Sequence, residues 1–103
     1  MKYKTEIVIN NSVVFAPITQ ANTPKNAVRL AIYQYLLNRT GKPDYMTVFT
    51  MNEEGQIWKY SAERKPTGQY YLIPESNIPS VMGRNVVIDA FAGNTPIAKM
   101  RLK

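Results

Sequence analysis

Asp44, Glu63 and Lys65 are the residues whose types and order could support bond-breaking chemistry. Pro43-Asp44 precedes an expected strand, and Glu63-Arg64-Lys65 ends the next one. If Met51 opposes Gln56 across the loop N-E-E-G, Asp44 falls opposite Glu63. Paired carboxylates suit a hard divalent cation, and a bound metal can activate water without help from histidine. Most other routes are closed. The chain has no His and no Cys, which removes disulfides, thiolate and imidazole metal sites, and every catalytic device built on those side chains. It also lacks a phosphate-binding glycine loop, a G-x-S-x-G elbow and an S-x-x-K motif.

The P-D…E-x-K order resembles the motif of the PD-(D/E)xK nucleases. The resemblance covers Pro43, Asp44, Glu63, Arg64 and Lys65 alone. It implies that Asp44 and Glu63 would hold a metal while Lys65 stabilises charge at the attacked phosphate. Two departures weaken it. Lys65 directly precedes Pro66 at a turn, and P-T-G-Q-Y-Y-L-I-P reads as strand where that family continues into a helix. The plainer reading is a surface acid pair balanced by Arg64 and Lys65, and the expectation is a protein without catalytic residues, metal or cofactor.

Binding residues form a second group. In I-W-K-Y-S-A-E-R-K-P-T-G-Q-Y-Y-L-I, residues 57–73, rings and charges alternate around a turn. Strand alternation puts Trp58 and Tyr60 on one face and Ile57, Lys59 and Ser61 on the other. The bulkier ring face is expected in the core, each buried ring covering roughly 150–250 Å². That leaves Lys59, Arg64, Lys65 and Tyr71 as the exposed candidates, joined by Lys99 and Arg101 (with Lys103) from an expected C-terminal strand. Cations and exposed rings on a sheet face can hold phosphates by charge and bases by stacking. The same residues could instead just solvate the sheet and guard an edge. A secondary candidate is the helix stripe Lys25, Arg29 and Tyr33, spaced i, i+4, i+8.

These residues need a scaffold. T-P-K-N-A-V-R-L-A-I-Y-Q-Y-L-L-N-R-T-G predicts one helix over about 24–39. Thr23 is its N-cap, Pro24 its first residue and Gly41 its left-handed stop. Ala27, Val28, Ala31, Ile32 and Tyr35 share its buried face, widened by Leu30 and Leu37. Everything else reads as strand. Asn10-Asn11 can close a hairpin between T-E-I-V-I and V-V-F-A-P-I. N-E-E-G and E-R-K-P-T-G close two more, and Gly93-Asn94 a last one between N-V-V-I-D-A-F-A and T-P-I-A-K-M-R-L. E-S-N-I-P-S-V-M-G-R is expected to be a loop. The 103 residues thus form a single α+β domain, 1–103, with one helix on an antiparallel hairpin sheet in the order ββαβββββ.

Net charge is +6 and the pI about 9.7, which favours an anionic partner. The expected function is a non-enzymatic basic module that binds nucleic acid or a nucleoprotein through the sheet and hairpin surface. The alternative is an inhibitor seated on an acidic protein surface. With seven Tyr and five Met, the chain is similar, in composition only, to the short accessory proteins of phages and mobile elements. A bare C-terminal edge strand would also let two copies pair as a homodimer. The start M-K-Y-K-T-E-I-V-I-N has no secretory apolar core. The uncharged run from Ile7 to Pro24 is too polar to span a bilayer. A cytoplasmic protein without membrane association is expected.

Overall fold

Tight turns set the path of the chain. In the computed structural model, which describes residues 1–37, 39–75 and 80–100, Asn10 and Asn11 take φ of 52° and 64°. Two successive positive φ values give the turn whose twist matches a hairpin, and Asn tolerates them better than any residue but Gly. The turn joins β1 (Lys2–Ile9) to β2 (Ser12–Phe15). A bulge and Pro17 then interrupt the edge, and β3 (Ile18–Gln20) rejoins β1 nearer its start.

Helix α1 (Pro24–Leu36) begins as expected, with the Thr23 hydroxyl accepting the Asn26 N–H at 3.1 Å. Ala27, Val28, Ala31, Ile32 and Tyr35 are all buried. Its end differs from expectation. The N–H groups of Leu37 and Arg39 bond to the carbonyls of Gln34 and Leu36, so the last turn tightens to i→i+3 spacing. Gly41 is not among the glycines at positive φ. Leu30 and Leu37 do not widen the buried face but are 41% and 58% exposed.

Strands β4 (Tyr45–Asn52), β5 (Gln56–Arg64) and β6 (Tyr70–Pro74) follow, and β7 (Ser80–Val81) pairs with the start of β5 where a loop was expected. The antiparallel order is β2-β1-β4-β5-β6, with β3 beside β1 and β7 beside β5. The β4–β5 loop is shorter than expected. The Asn52 side-chain oxygen accepts the N–H groups of Glu54 and Gln56, and Gly55 takes φ 87°. Three residues, rather than four, therefore cross the turn, and Met51 pairs with Ile57. The β5–β6 loop repeats this form with Gly68 at φ 94°.

The last expected hairpin is a helix. N-V-V-I-D-A-F lies in α2 (Arg84–Phe91), and a short 3₁₀ turn (Ile97–Lys99) follows. The β-branched run suggested a strand, yet Val87, Ala90 and Phe91 fall at i, i+3, i+4 and face the sheet. Gly93, at φ 83°, ends the helix; its N–H bonds to Ala90 and that of Asn94 to Asp89. That is a Schellman stop, for which Gly-Asn serves as well as it does for a hairpin turn. The fold is α+β, with α1 packed on an antiparallel sheet.

Strand alternation divides the core in two. Beneath α1 lie Ile7, Met46, Val48, Tyr60, Ala62 and Leu72, with Trp58 packed against them. On the other face α2 and the 3₁₀ turn cover Phe49, Met51 and Ile57. The face expected to be left open is therefore half covered. A buried carboxylate fastens this cover: Glu6, 2% exposed, accepts the N–H of Ile97 at 2.7 Å and of Ala98 at 3.0 Å.

Candidate functional site

The one-residue change in register rearranges the expected site. Asp44 lies opposite Arg64 rather than Glu63, its carbonyl accepting the Arg64 N–H at 2.9 Å. Glu63 lies opposite Tyr45, on the other face of the sheet. Asp44 is engaged instead by the Arg64 guanidinium, whose Nε–H donates to Oδ1 at 3.2 Å with a second bond from the terminal nitrogen. That hydrogen bond, and then the carboxylate charge, raise the Arg64 pKa above its ordinary value. Lys65 lies 5.3 Å from the Tyr71 ring centroid. The three residues of the nuclease-like pattern are thus not brought together. Among the described residues, no three acidic, His or Cys side chains gather as a metal site would need.

The expected sheet surface is similarly divided. On the face away from α1, Tyr45, Glu63 and Tyr71 form one row and Thr47, Ser61 and Ile73 the next. Tyr45 and Tyr71 are half exposed, and the Tyr45 hydroxyl bonds to Ser61 at 2.9 Å. Lys59 sits one row further, with Nζ 3.6 Å from Glu75 and 5.6 Å from the Phe49 centroid. Arg64 points to the opposite face, toward α1. Lys99 is not in a terminal strand but in the 3₁₀ turn, where it joins Lys59 around a cavity. Arg101 and Lys103 lie outside the described residues. The expected C-terminal edge strand is absent among the described residues; the sheet's edges are β2/β3 and β6/β7.

The α1 side gathers more available charge. Lys25, Arg29 and Tyr33 are all exposed along the helix, as their spacing required. Beside them a groove of about 410 Å³ runs between α1 and the β5–β6 loop, lined by Arg29, Tyr33, Lys42, Tyr70, Leu36 and Leu72 among others. Lys42 reaches the Gly68 carbonyl at 3.4 Å. The Tyr70 hydroxyl donates to the Pro43 carbonyl, which fastens the groove wall. Burial raises the Tyr70 pKa, so the phenol stays a neutral donor. Past the helix end a second cavity, about 870 Å³, is bordered by Arg39, Lys42, Asn10 and Thr40. The Arg39 guanidinium stacks 4.6 Å from the Tyr35 centroid.

Among the described residues, none of Lys25, Arg29, Arg39 and Lys42 has an acid within ion-pair distance, and neither groove has an acidic lining residue. The sequence reading missed Arg39 and Lys42. Their proximity in R-T-G-K, after the helix, was a signal that the helix's overestimated length concealed. No family model, curated protein or solved structure matches this chain.

Proposed function

We propose that this protein is a non-catalytic basic module that binds nucleic acid, alone or within a nucleoprotein, chiefly along its α1 side. The observation that carries the reading is the set Lys25, Arg29, Arg39 and Lys42, all without ion-pair partners among the described residues. α1 has 13 residues, about 20 Å at 1.5 Å per residue. That length spans several phosphates of a bound strand. Arg29 and Lys42 meet phosphate at the groove, and exposed Tyr33 offers a base a stacking surface. Lys65 and Tyr71 on the hairpin supply a lesser contact, because their charge and ring already face each other. Affinity for a labelled oligonucleotide should fall steeply and log-linearly as salt rises. Salt-independent affinity, or none at low salt, would refute the reading.

A second reading draws on the same side. Leu30, Tyr33 and Leu37 are exposed beside Arg29, and exposed apolar groups mixed with Arg and Tyr suit a protein interface. An inhibitor of an acidic protein would retain its partner through nuclease digestion, whereas the nucleic-acid reading requires the captured material to be nuclease-sensitive.

A further inference from the structure

On the face away from α1, we infer a binding pocket for a small organic anion with an apolar body and a carboxylate or phosphate head. Three separate parts of the chain form a cavity of about 540 Å³: the β1–β2 turn, the sheet face and the segment running into the 3₁₀ turn. That volume falls in the ordinary range for small-ligand sites. Its cations are Lys59 and Lys99, and its other polar groups are Thr47, Ser12 and Asn11. Among the described residues none of the lining is acidic, and Val8, Phe49 and Ala98 supply apolar wall.

The pocket is held in place independently of any ligand. Lys59 lies over Phe49, with Glu75 3.6 Å away, beyond hydrogen-bond reach. Glu75 therefore pairs with the ammonium from one side only, and an ammonium has three donors, so others are left for a ligand. The wall bearing Lys99 is fixed by the Glu6 carboxylate through Ile97 and Ala98. An anionic head would lie between Lys59 and Lys99, accepting from Thr47 or Ser12, with its body against Val8 and Phe49. The site shares no cation with the α1 surface, so either can fail alone.

The test is an amide NMR titration of the whole chain with benzoate, phenyl phosphate and neutral benzamide. The two anions should give saturable shifts centred on Thr47, Lys59 and Lys99. Dissociation constants should be on the order of 1 mM, as befits so small a ligand, and the preferred head will be the tighter of the two. Benzamide should bind at least about fivefold more weakly, since it offers the lysines no charge. Lys59→Met with Lys99→Met should weaken anion binding at least about tenfold, whereas Arg84→Met, at an exposed cation elsewhere, should not. Glu6→Gln should weaken it too by loosening the wall. If that variant unfolds, the lysine pair still decides, because both side chains are at least partly exposed. Non-saturating shifts, shifts centred elsewhere, or equal binding of benzamide would overturn the inference.

Discussion

On the hairpin face, Lys59 has Glu75 near it, Lys65 has the Tyr71 ring, and Glu63 lies between the two exposed tyrosines. On the α1 side, Arg29, Arg39 and Lys42 border grooves that have no acidic lining among the described residues, Lys25 is exposed further along the helix, and nearby Asp44 is taken by Arg64. Both sides carry cations, but they differ in what a ligand would have to displace. A phosphate approaching the hairpin face must compete with a carboxylate or pull a lysine from a ring. A phosphate approaching α1 has no carboxylate to displace at Lys25, Arg29, Arg39 or Lys42 among the described residues, and counterion release is itself favourable. The lesson is that net charge says little about where an anion goes; the distribution of acids among the bases decides it.

The two sides also differ in how tightly they are closed, and their matching loops measure this. A Cβ on Gly55 would lie 2.7 Å from the Met82 carbonyl oxygen and 2.9 Å from a Val87 methyl, at φ 87°. Gly55→Ala therefore adds a clash to a strained backbone and should cost about 2–4 kcal/mol. At Gly68, equally left-handed, the nearest atom is the mobile Lys42 Nζ at 3.5 Å. Gly68→Ala should cost only about 1 kcal/mol, the backbone part. Denaturant melts of the two variants check this, and equal losses would mean that α2 is not packed on the β4–β5 loop.

Next in size is the binding contrast. Arg29→Glu with Lys42→Glu should lower oligonucleotide affinity at least about thirtyfold at low salt and reduce the salt slope by about two, one per lost phosphate contact. Lys59→Glu with Lys65→Glu should cost less than about threefold, because Lys59 lies on the sheet face away from α1 and Lys65 is held at the Tyr71 ring. Fluorescence anisotropy across a salt series reads both. If the hairpin pair cost more, the comparison would be inverted and the sheet face would be the binding surface.

Alkaline pH separates the faces by another route. Tyr3, Tyr60 and Tyr70 all lie on the α1 face of the sheet, and burial is the leading cause raising their pKa values above the ordinary 10.0. A raised folded-state pKa gives stability that is fully present below the unfolded value and lost as pH rises through the folded one. With no His in the chain, the melting temperature should be level between about pH 6 and pH 9 and fall above about pH 10. Replacing Tyr60 by Phe should blunt the fall; melts across that range check it.

Local signals were legible and long-range ones were not. Thr23, Pro24 and the i, i+3, i+4 apolar set marked α1 because capping and amphipathic spacing are written within a few residues. Asn10-Asn11 marked a hairpin for the same reason. α2 was misread because Val86, Val87 and Ile88 favour strand while the face that makes them helical is defined only by Phe49, Met51 and Ile57, distant in sequence. The site suffered from a smaller error with a larger consequence. Counting four loop residues where Asn52 closes three moved Asp44 from Arg64 to Glu63. The same error turned an ion pair into an apparent metal site, since one residue of slip reverses the face. The Glu6 clasp on the 3₁₀ turn had no local signal.

The smallest expected effect tests whether pairing, rather than position, keeps Arg64 out of the binding surface. Arg64 points to the α1 side and pairs across the strands with Tyr70, which lines the α1 groove. Asp44 is 85% exposed as a side chain, so Asn fits without burying anything new. Asp44→Asn removes the negative charge while leaving the Asp44 carbonyl to accept the Arg64 backbone N–H. The strand register should therefore survive and the guanidinium should become available. Oligonucleotide affinity at low salt should rise about two- to threefold, and the salt slope should steepen by up to about one, as expected for one added phosphate contact. Adding Arg64→Gln to Asp44→Asn should cancel the gain, which separates a released arginine from the mere loss of a repelling acid. A gain that persists in the double variant would assign the effect to general charge. No gain in either would place Arg64 outside the path of the bound strand and confine the site to α1 and the loop that carries Arg39 and Lys42.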